Sequence, residues 1–167
     1  LVIDQQKAHE RILYEKYYQV LSGSDTPSQQ QLFPHNLHCS PGDAEIIRSL
    51  MPNLNRMGFL LEPFGTNGFV VKGIPADMKE SQLEQSLEQI IENHKQHAKD
   101  LDYDKKVNLA RSIAAHASVK EGTKLNEAEM ADIFDRLFAC QVPEVTPDGK
   151  KTMHIIPLAE IDVMMKK

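Results

Sequence analysis

Residues 58–75 read GFLLEPFGTNGFVVKGIP, two apolar, β-prone runs on either side of Thr66-Asn67-Gly68. Asn-Gly between such runs is the strongest short hairpin signal, because both residues accept the positive φ of a tight two-residue turn. The stretch therefore demands an antiparallel pair of strands, and a purely helical chain is excluded. Helical patterns precede and follow it.

SPGDAEIIRSLMPNLNRM, at 40–57, offers Ser40 as cap, Pro41 at the first helical position and an amphipathic helix to about Arg56. Residues 78–98 carry Leu83, Leu87, Ile90 and Ile91 inward, and 105–120 carry Val107, Leu109, Ile113 and Ala114. Asn126 with Glu129 has capping-box spacing and starts a helix through Phe138. Upstream, SGSDTPSQQQ at 22–31 reads as a polar linker. LFPHNLH at 32–38 reads as a strand in which Pro34 argues for an edge or a bulge. A late strand at 153–156 and a short helix at 158–165 close the pattern. The fold class is mixed, α/β or α+β, in two small lobes. Residues 1–25 and 104–167 form one lobe, and 26–103 are inserted into it as the other.

The net charge of −5 over 167 residues gives no long-range pull toward nucleic acid, so DNA binding by this chain is expected to be weak. Its basic pairs, Lys105-Lys106, Lys150-Lys151 and Lys166-Lys167, are short and scattered. Two cysteines, Cys39 and Cys140, fit neither a metal spacing nor a disulfide framework and read as free thiols of a reducing, cytoplasmic compartment. No run approaches the length of a membrane span, and no signal peptide is visible. The chain lacks a starting Met and opens inside a strand, which reads as a piece of something longer.

The opening stretch, LVIDQQKAHERILYE, is where chemistry would sit. Locally it is a strand end, an Asp4 cap and a helix. Ala8, Ile12, Leu13, Tyr17, Val20 and Leu21 form the apolar stripe, while Glu10, Arg11, Glu15 and Lys16 read as a solvated face. DQQKAHERILYE also resembles the endonuclease motif of the C-terminal domain of MutL-family DNA mismatch repair proteins, D-Q-H-A-x-x-E-x-x-x-x-E. Asp4, Gln5, Glu10 and Glu15 match in order; Gln6 stands for the family His and Lys7 for the Ala. QQLFP at 30–34, MGFLLEPFGTNGFVVKGIP at 57–75 and AAHASVKEG at 114–122 continue the resemblance through nearly the whole chain.

The resemblance implies a dimerisation domain with an inserted external, regulatory lobe. It implies a homodimer, and in the full-length context ATP-binding arms, a MutS-type mismatch-recognition partner and a sliding clamp. It also implies a metal site, and here the chain departs from the pattern. Ala115 stands at a family Cys position, followed by His116. The family Cys-Pro-His-Gly stretch reads Thr146-Pro147-Asp148-Gly149. Zinc is held mainly by thiolate and imidazole, so Asp4, Gln6, Glu10, Thr146 and Asp148 are degenerate positions. The expectation is no metal cofactor and no catalytic residue. The alternative is an oxygen-only cluster of Asp4, Glu10 and Asp148, suited to manganese or magnesium rather than zinc and able in principle to nick DNA.

Gln29, Leu32, Phe33 and Pro34 have the pattern of a segment that inserts into a sliding clamp, where Leu and Phe fill an apolar pocket and Gln sets orientation. The bland alternative makes Leu32 and Phe33 core residues of their own strand. Ile155, Ile156, Ile161 and Met164 are the expected dimer-interface residues. The histidines share no spacing beyond His94 and His97, and no Ser-His-Asp or Cys-His arrangement is present.

Overall fold

The computed structural model describes residues 1–23, 28–96 and 104–166. In chain order these form β1 (Val2–Ile3), α1 (Gln5–Ser22), β2 (Ser28–His38), α2 (Pro41–Arg56), β3 (Leu60–Phe64), β4 (Gly68–Pro75), a single 3-10 turn at Glu80–Gln82, α3 (Leu83–Gln96), α4 (Lys105–Ala117), α5 (Glu127–Phe138), β5 (Met153–His154) and α6 (Leu158–Met165). The fold is mixed α/β. One antiparallel sheet has the order β2-β4-β3, and a two-stranded ribbon pairs β1 with β5.

The local start signals act as written in the sequence. Asp4 accepts the Lys7 N–H, Ser40 accepts the Asp43 N–H with Pro41 opening α2, and Asn126 and Glu129 close a reciprocal capping box at α5. Each satisfies N–H groups that a helix start leaves unpaired.

α1 organises the packing. Its C-terminal half, Leu13, Tyr17, Val20 and Leu21, enters a large core with α2, the three-stranded sheet, α3 and α4. Its N-terminal half, Ala8 and Ile12, joins a smaller core with Ile133 and Leu137 of α5, bordered by Ile3 and Met153 of the ribbon. One helix thus feeds both clusters.

Several expectations are corrected. The polar stretch at 22–31 is not all linker. Ser28, Gln29 and Gln30 pair with Pro75, Ile74 and Gly73, so ladder hydrogen bonds override the low strand preference of Ser; residues 24–27 lie outside the described residues. The expected helix over 78–98 begins as the 3-10 turn and becomes α3 only at Leu83, while its end at Ala98 lies outside the described residues. α4 stops at Ala117 rather than Lys120, because Ser118 turns to extended backbone and the Val119 N–H goes to the His9 ring. β5 ends at His154, since β1 offers it only two residues to pair with.

The hairpin is present, but its turn is not the Asn-Gly one. Phe64 pairs with Gly68, the loop is 65–67, and the positive φ falls on Gly65 at 70°. Gly68 is required for another reason: a Cβ there would lie 2.6 Å from the Phe64 carbonyl oxygen. Gly68→Ala is therefore expected to destabilise by about 1–3 kcal/mol through overpacking. Thermal melting checks this; an unchanged midpoint would mean the strands separate at no cost.

Candidate functional site

The most conspicuous surface is apolar. On α5, Ile133 and Leu137 face α1, while Met130, Phe134 and Phe138 follow at steps of four on the adjoining, exposed stripe. The Phe134 and Phe138 rings pack together with centroids 4.7 Å apart. A groove of about 300 Å³ joins this stripe to the ribbon, lined by Leu1, Ile3, Gln5, Met130, Ile133 and Phe134. Leu1 and Val2 are more than half exposed, and among the described residues β1 pairs with no strand but β5.

Beyond β5 the chain continues in the same manner. Ile155 and Leu158 are 75% and 79% exposed, Ile161, Val163 and Met165 are exposed, and no described residue of α6 is buried. Of the expected interface residues, Ile155 and Ile161 are therefore open, Ile156 is half-buried, and the Met164 side chain lies outside the description. The α5 stripe was missed by sequence reasoning. Its signal was available: apolar residues at 130, 133, 134, 137 and 138 make a stripe wider than one core needs.

The motif residues of α1 divide between two environments. Asp4 caps the helix, and its Oδ2 lies 2.7 Å from Lys7 Nζ. Partial burial opposes ionisation of Asp4, but the Lys7 hydrogen bonds and charge outweigh it and hold the carboxyl below its usual range. Gln6 lines a separate depression with Asp4, Lys7, Lys120, Glu121 and Gly122. Glu10 is pushed up by burial first and next by the charge of Asp148, with Lys150, Arg11 and Arg111 opposing. The fold thus brings Glu10 and Asp148 into one neighbourhood, while Asp4 answers to Lys7.

Asp148 is itself engaged by Arg111, whose Nε lies 3.3 Å from its Oδ1 and whose Nη2 donates to the Pro147 carbonyl at 3.5 Å. Thr146 is buried and shapes the turn: its Oγ1 accepts the Lys150 N–H at 3.1 Å and its own N–H donates to the Lys150 carbonyl at 2.7 Å. This donor set does not fit zinc, having no thiolate or imidazole and a threonine hydroxyl already committed to the backbone. Among the described residues no group of three or more His, Cys, Asp or Glu is arranged to hold a metal ion. His116, on α4, is held below its ordinary value, chiefly by burial.

The solvated face expected for α1 is corrected at two positions. Arg11 is buried, its Nε donates to the Val145 carbonyl at 2.5 Å, and its Nη1 lies 3.6 Å from Glu15 Oε1. Glu15 accepts the backbone N–H groups of Gln141 at 2.8 Å and Val142 at 3.2 Å. The two side chains tie the segment leading into the Thr146 turn onto α1. Nearby, burial and then the Glu15 charge push the Cys140 thiol up to about 11.

His9 is a further residue that spacing did not single out. Its Nδ1 accepts the Val119 N–H at 3.0 Å, which requires an unprotonated Nδ1. Burial, and then Arg136 and Lys16, hold its pKa below the ordinary value, against the opposite pull of Asp77 and Asp132. The unfolded chain therefore binds the proton more readily than the folded one. His9 contributes stability that is present above the unfolded pKa of about 6.5 and lost as pH falls toward the lower folded value. The difference between wild type and His9→Gln is expected to shrink with acidification across that window, by up to about 1.4 kcal/mol per pH unit. Urea unfolding at pH 5 to 8 reads it, and a constant difference would remove His9 from the account.

In β2 a large bulge separates the Gln30–Gly73 and His35–Val71 pairs, so that residues 31–34 face Lys72 alone. Pro34 is exposed, as the bulge expectation allows. The side chains of Gln29, Leu32 and Phe33 lie outside the description.

A small α/β domain with an uncovered apolar face on a ribbon, a helix and a C-terminal helix is the architecture of an association module. Comparison with known proteins gives the same class. The family profile described as the MutL C terminal dimerisation domain matches residues 1–125. The DNA mismatch repair proteins MutL of Chlorobaculum tepidum and Chlorobaculum parvum are each 34% identical over 164 residues, 98% of this chain. That of Prosthecochloris aestuarii is 35% identical over the same length. The chain belongs to the MutL C-terminal dimerisation domain family. It spans about a quarter, 26%, of the length of these relatives.

Proposed function

We propose that this chain is the dimerisation module of a MutL-type mismatch repair protein. It forms a homodimer that holds two ATP-binding arms together in the cytoplasm, beside the nucleoid. The observation that carries this reading is the exposed apolar surface of Leu1, Val2, Met130, Phe134, Phe138, Ile155, Leu158 and Ile161. A surface of this kind is costly in water and is the usual mark of an interface. Residues 1–25 and 104–167 form the dimerising lobe and 26–103 the external one. Partnership with a MutS-type protein belongs to the full-length context, and the charge of −5 leaves DNA contact weak. Among the described residues no helix is long and apolar enough to cross a membrane.

The module does not cut DNA on its own. Asp4 is committed to Lys7 and the cap, Asp148 faces Arg111, and Thr146 and Gln6 replace the soft ligands of the nuclease pattern. The chain is expected to leave supercoiled plasmid intact with zinc, magnesium or manganese. Manganese-dependent nicking that vanishes in both Asp4→Asn and Glu10→Gln would restore the carboxylate cluster as an active site.

The segment Gln29, Leu32, Phe33 and Pro34 contacts the sliding clamp. The bulge that frees residues 31–34 from regular pairing with β4 supports this, since an inserted segment must leave its own sheet. Leu32→Ala with Phe33→Ala is expected to abolish clamp binding with the fold retained. If both side chains were core, the pair of substitutions would instead cost roughly 3–6 kcal/mol and unfold the chain.

A further inference from the structure

The bulge of β2 is held at both feet. Ser28, Gln29 and Gln30 pair with β4 on one side, and His35, Asn36, Leu37 and His38 on the other, with residues 31–34 arching between them. Lys72, the β4 residue opposite the arch, is engaged elsewhere: its Nζ donates to Glu62 Oε2 on β3 at 2.5 Å. Pro34 has no N–H to give to a ladder. The first residue past the arch, His35, has its Nε2 2.8 Å from Glu84 Oε1. Glu84 stands in the first turn of α3, between Leu83 and Leu87, both buried in the large core. The descending foot of the arch is therefore tied to a helix anchored in the large core.

We infer that the His35–Glu84 pair is a positioning device that sets the pose of the 31–34 arch for an extended segment-in-groove contact with a protein partner. The inference rests on the clamp-binding reading above. Preorganising a binding segment raises affinity by removing the ordering cost at the moment of binding. Both side chains are substantially solvent-exposed, so the tie is a modest one.

The test is binding of the 167-residue chain to an immobilised sliding clamp, with melting of each variant in parallel. Glu84→Ala is expected to weaken binding about two- to five-fold without moving the melting midpoint. His35→Glu alone, which sets two carboxylates against each other, is expected to weaken it further. His35→Glu combined with Glu84→Lys sets an ammonium on α3 against a carboxylate at the foot of the arch, restores the tie and is expected to return binding to the wild-type level. Loss in the exchanged pair as large as in the single variants would mean that these side chains touch the clamp themselves, and would overturn the positioning role. So would unchanged binding by Glu84→Ala in a chain whose binding Leu32→Ala with Phe33→Ala abolishes; there the clamp reading would stand alone. No binding by the wild-type chain would overturn both.

Discussion

Replacing Glu15 by alanine is expected to cost about 3–5 kcal/mol of folding stability. The carboxylate receives two backbone N–H groups, from Gln141 and Val142, and lies against the Arg11 guanidinium. The two side chains are only 15% and 8% exposed, so solvent screens the pair little. Removing Glu15 leaves Arg11 as a buried charge with only the Val145 carbonyl and the face of the Tyr14 ring beside it, and hands the Gln141 and Val142 N–H groups to water. Arg11→Met with Glu15→Leu, which removes both charges and keeps volume, is expected to lose less than Glu15→Ala. Urea unfolding measures all three. A loss below about 1 kcal/mol for Glu15→Ala would put the pair among ordinary surface ion pairs.

Phe134→Glu is expected to weaken self-association on the order of 100- to 1,000-fold while leaving the monomer folded. Phe134 is 45% exposed and packs its ring, tilted by 44°, against that of Phe138, beside the groove that Leu1, Ile3 and Met130 complete. Aromatic anchors near the centre of an interface carry a large share of its energy, and a carboxylate there must be desolvated without a partner. Ile133→Glu, one position away but directed at Ala8 and Ile12, is the contrast: it is expected to unfold the smaller core. Sedimentation of each variant across a concentration series separates the two outcomes. Wild-type association by Phe134→Glu would move the interface away from α5.

What could be read from the sequence was local. Asp4, Ser40 and Asn126 act on N–H groups within three residues, so their caps are written in a few letters. The hairpin was legible as two apolar runs, but the turn placed its positive φ on Gly65 because strand register, not the Asn-Gly dipeptide, fixed where pairing begins. Arg11 and Glu15 looked solvated because their partners lie 126 to 134 residues away. No periodicity within α1 reports a segment that arrives from the other end of the chain. His9 escaped for the same reason, its partner Val119 being 110 residues on.

The candidate site was legible in the opposite sense. Letters showed which ligands are missing at Gln6, Thr146 and Asp148. Only the fold showed that Asp4 and Asp148 already serve Lys7 and Arg111. The apolar face lay half in view, since Ile155, Ile156, Ile161 and Met164 were expected there and the α5 stripe was not.

The most direct measurement is sedimentation equilibrium of the wild-type chain at tens of micromolar. The expected result is a species of twice the 18.9 kDa chain mass, with an interface above about 1,000 Å². A single species of 18.9 kDa at that concentration would contradict it, and would leave the exposed face of β1, α5 and α6 to some other partner.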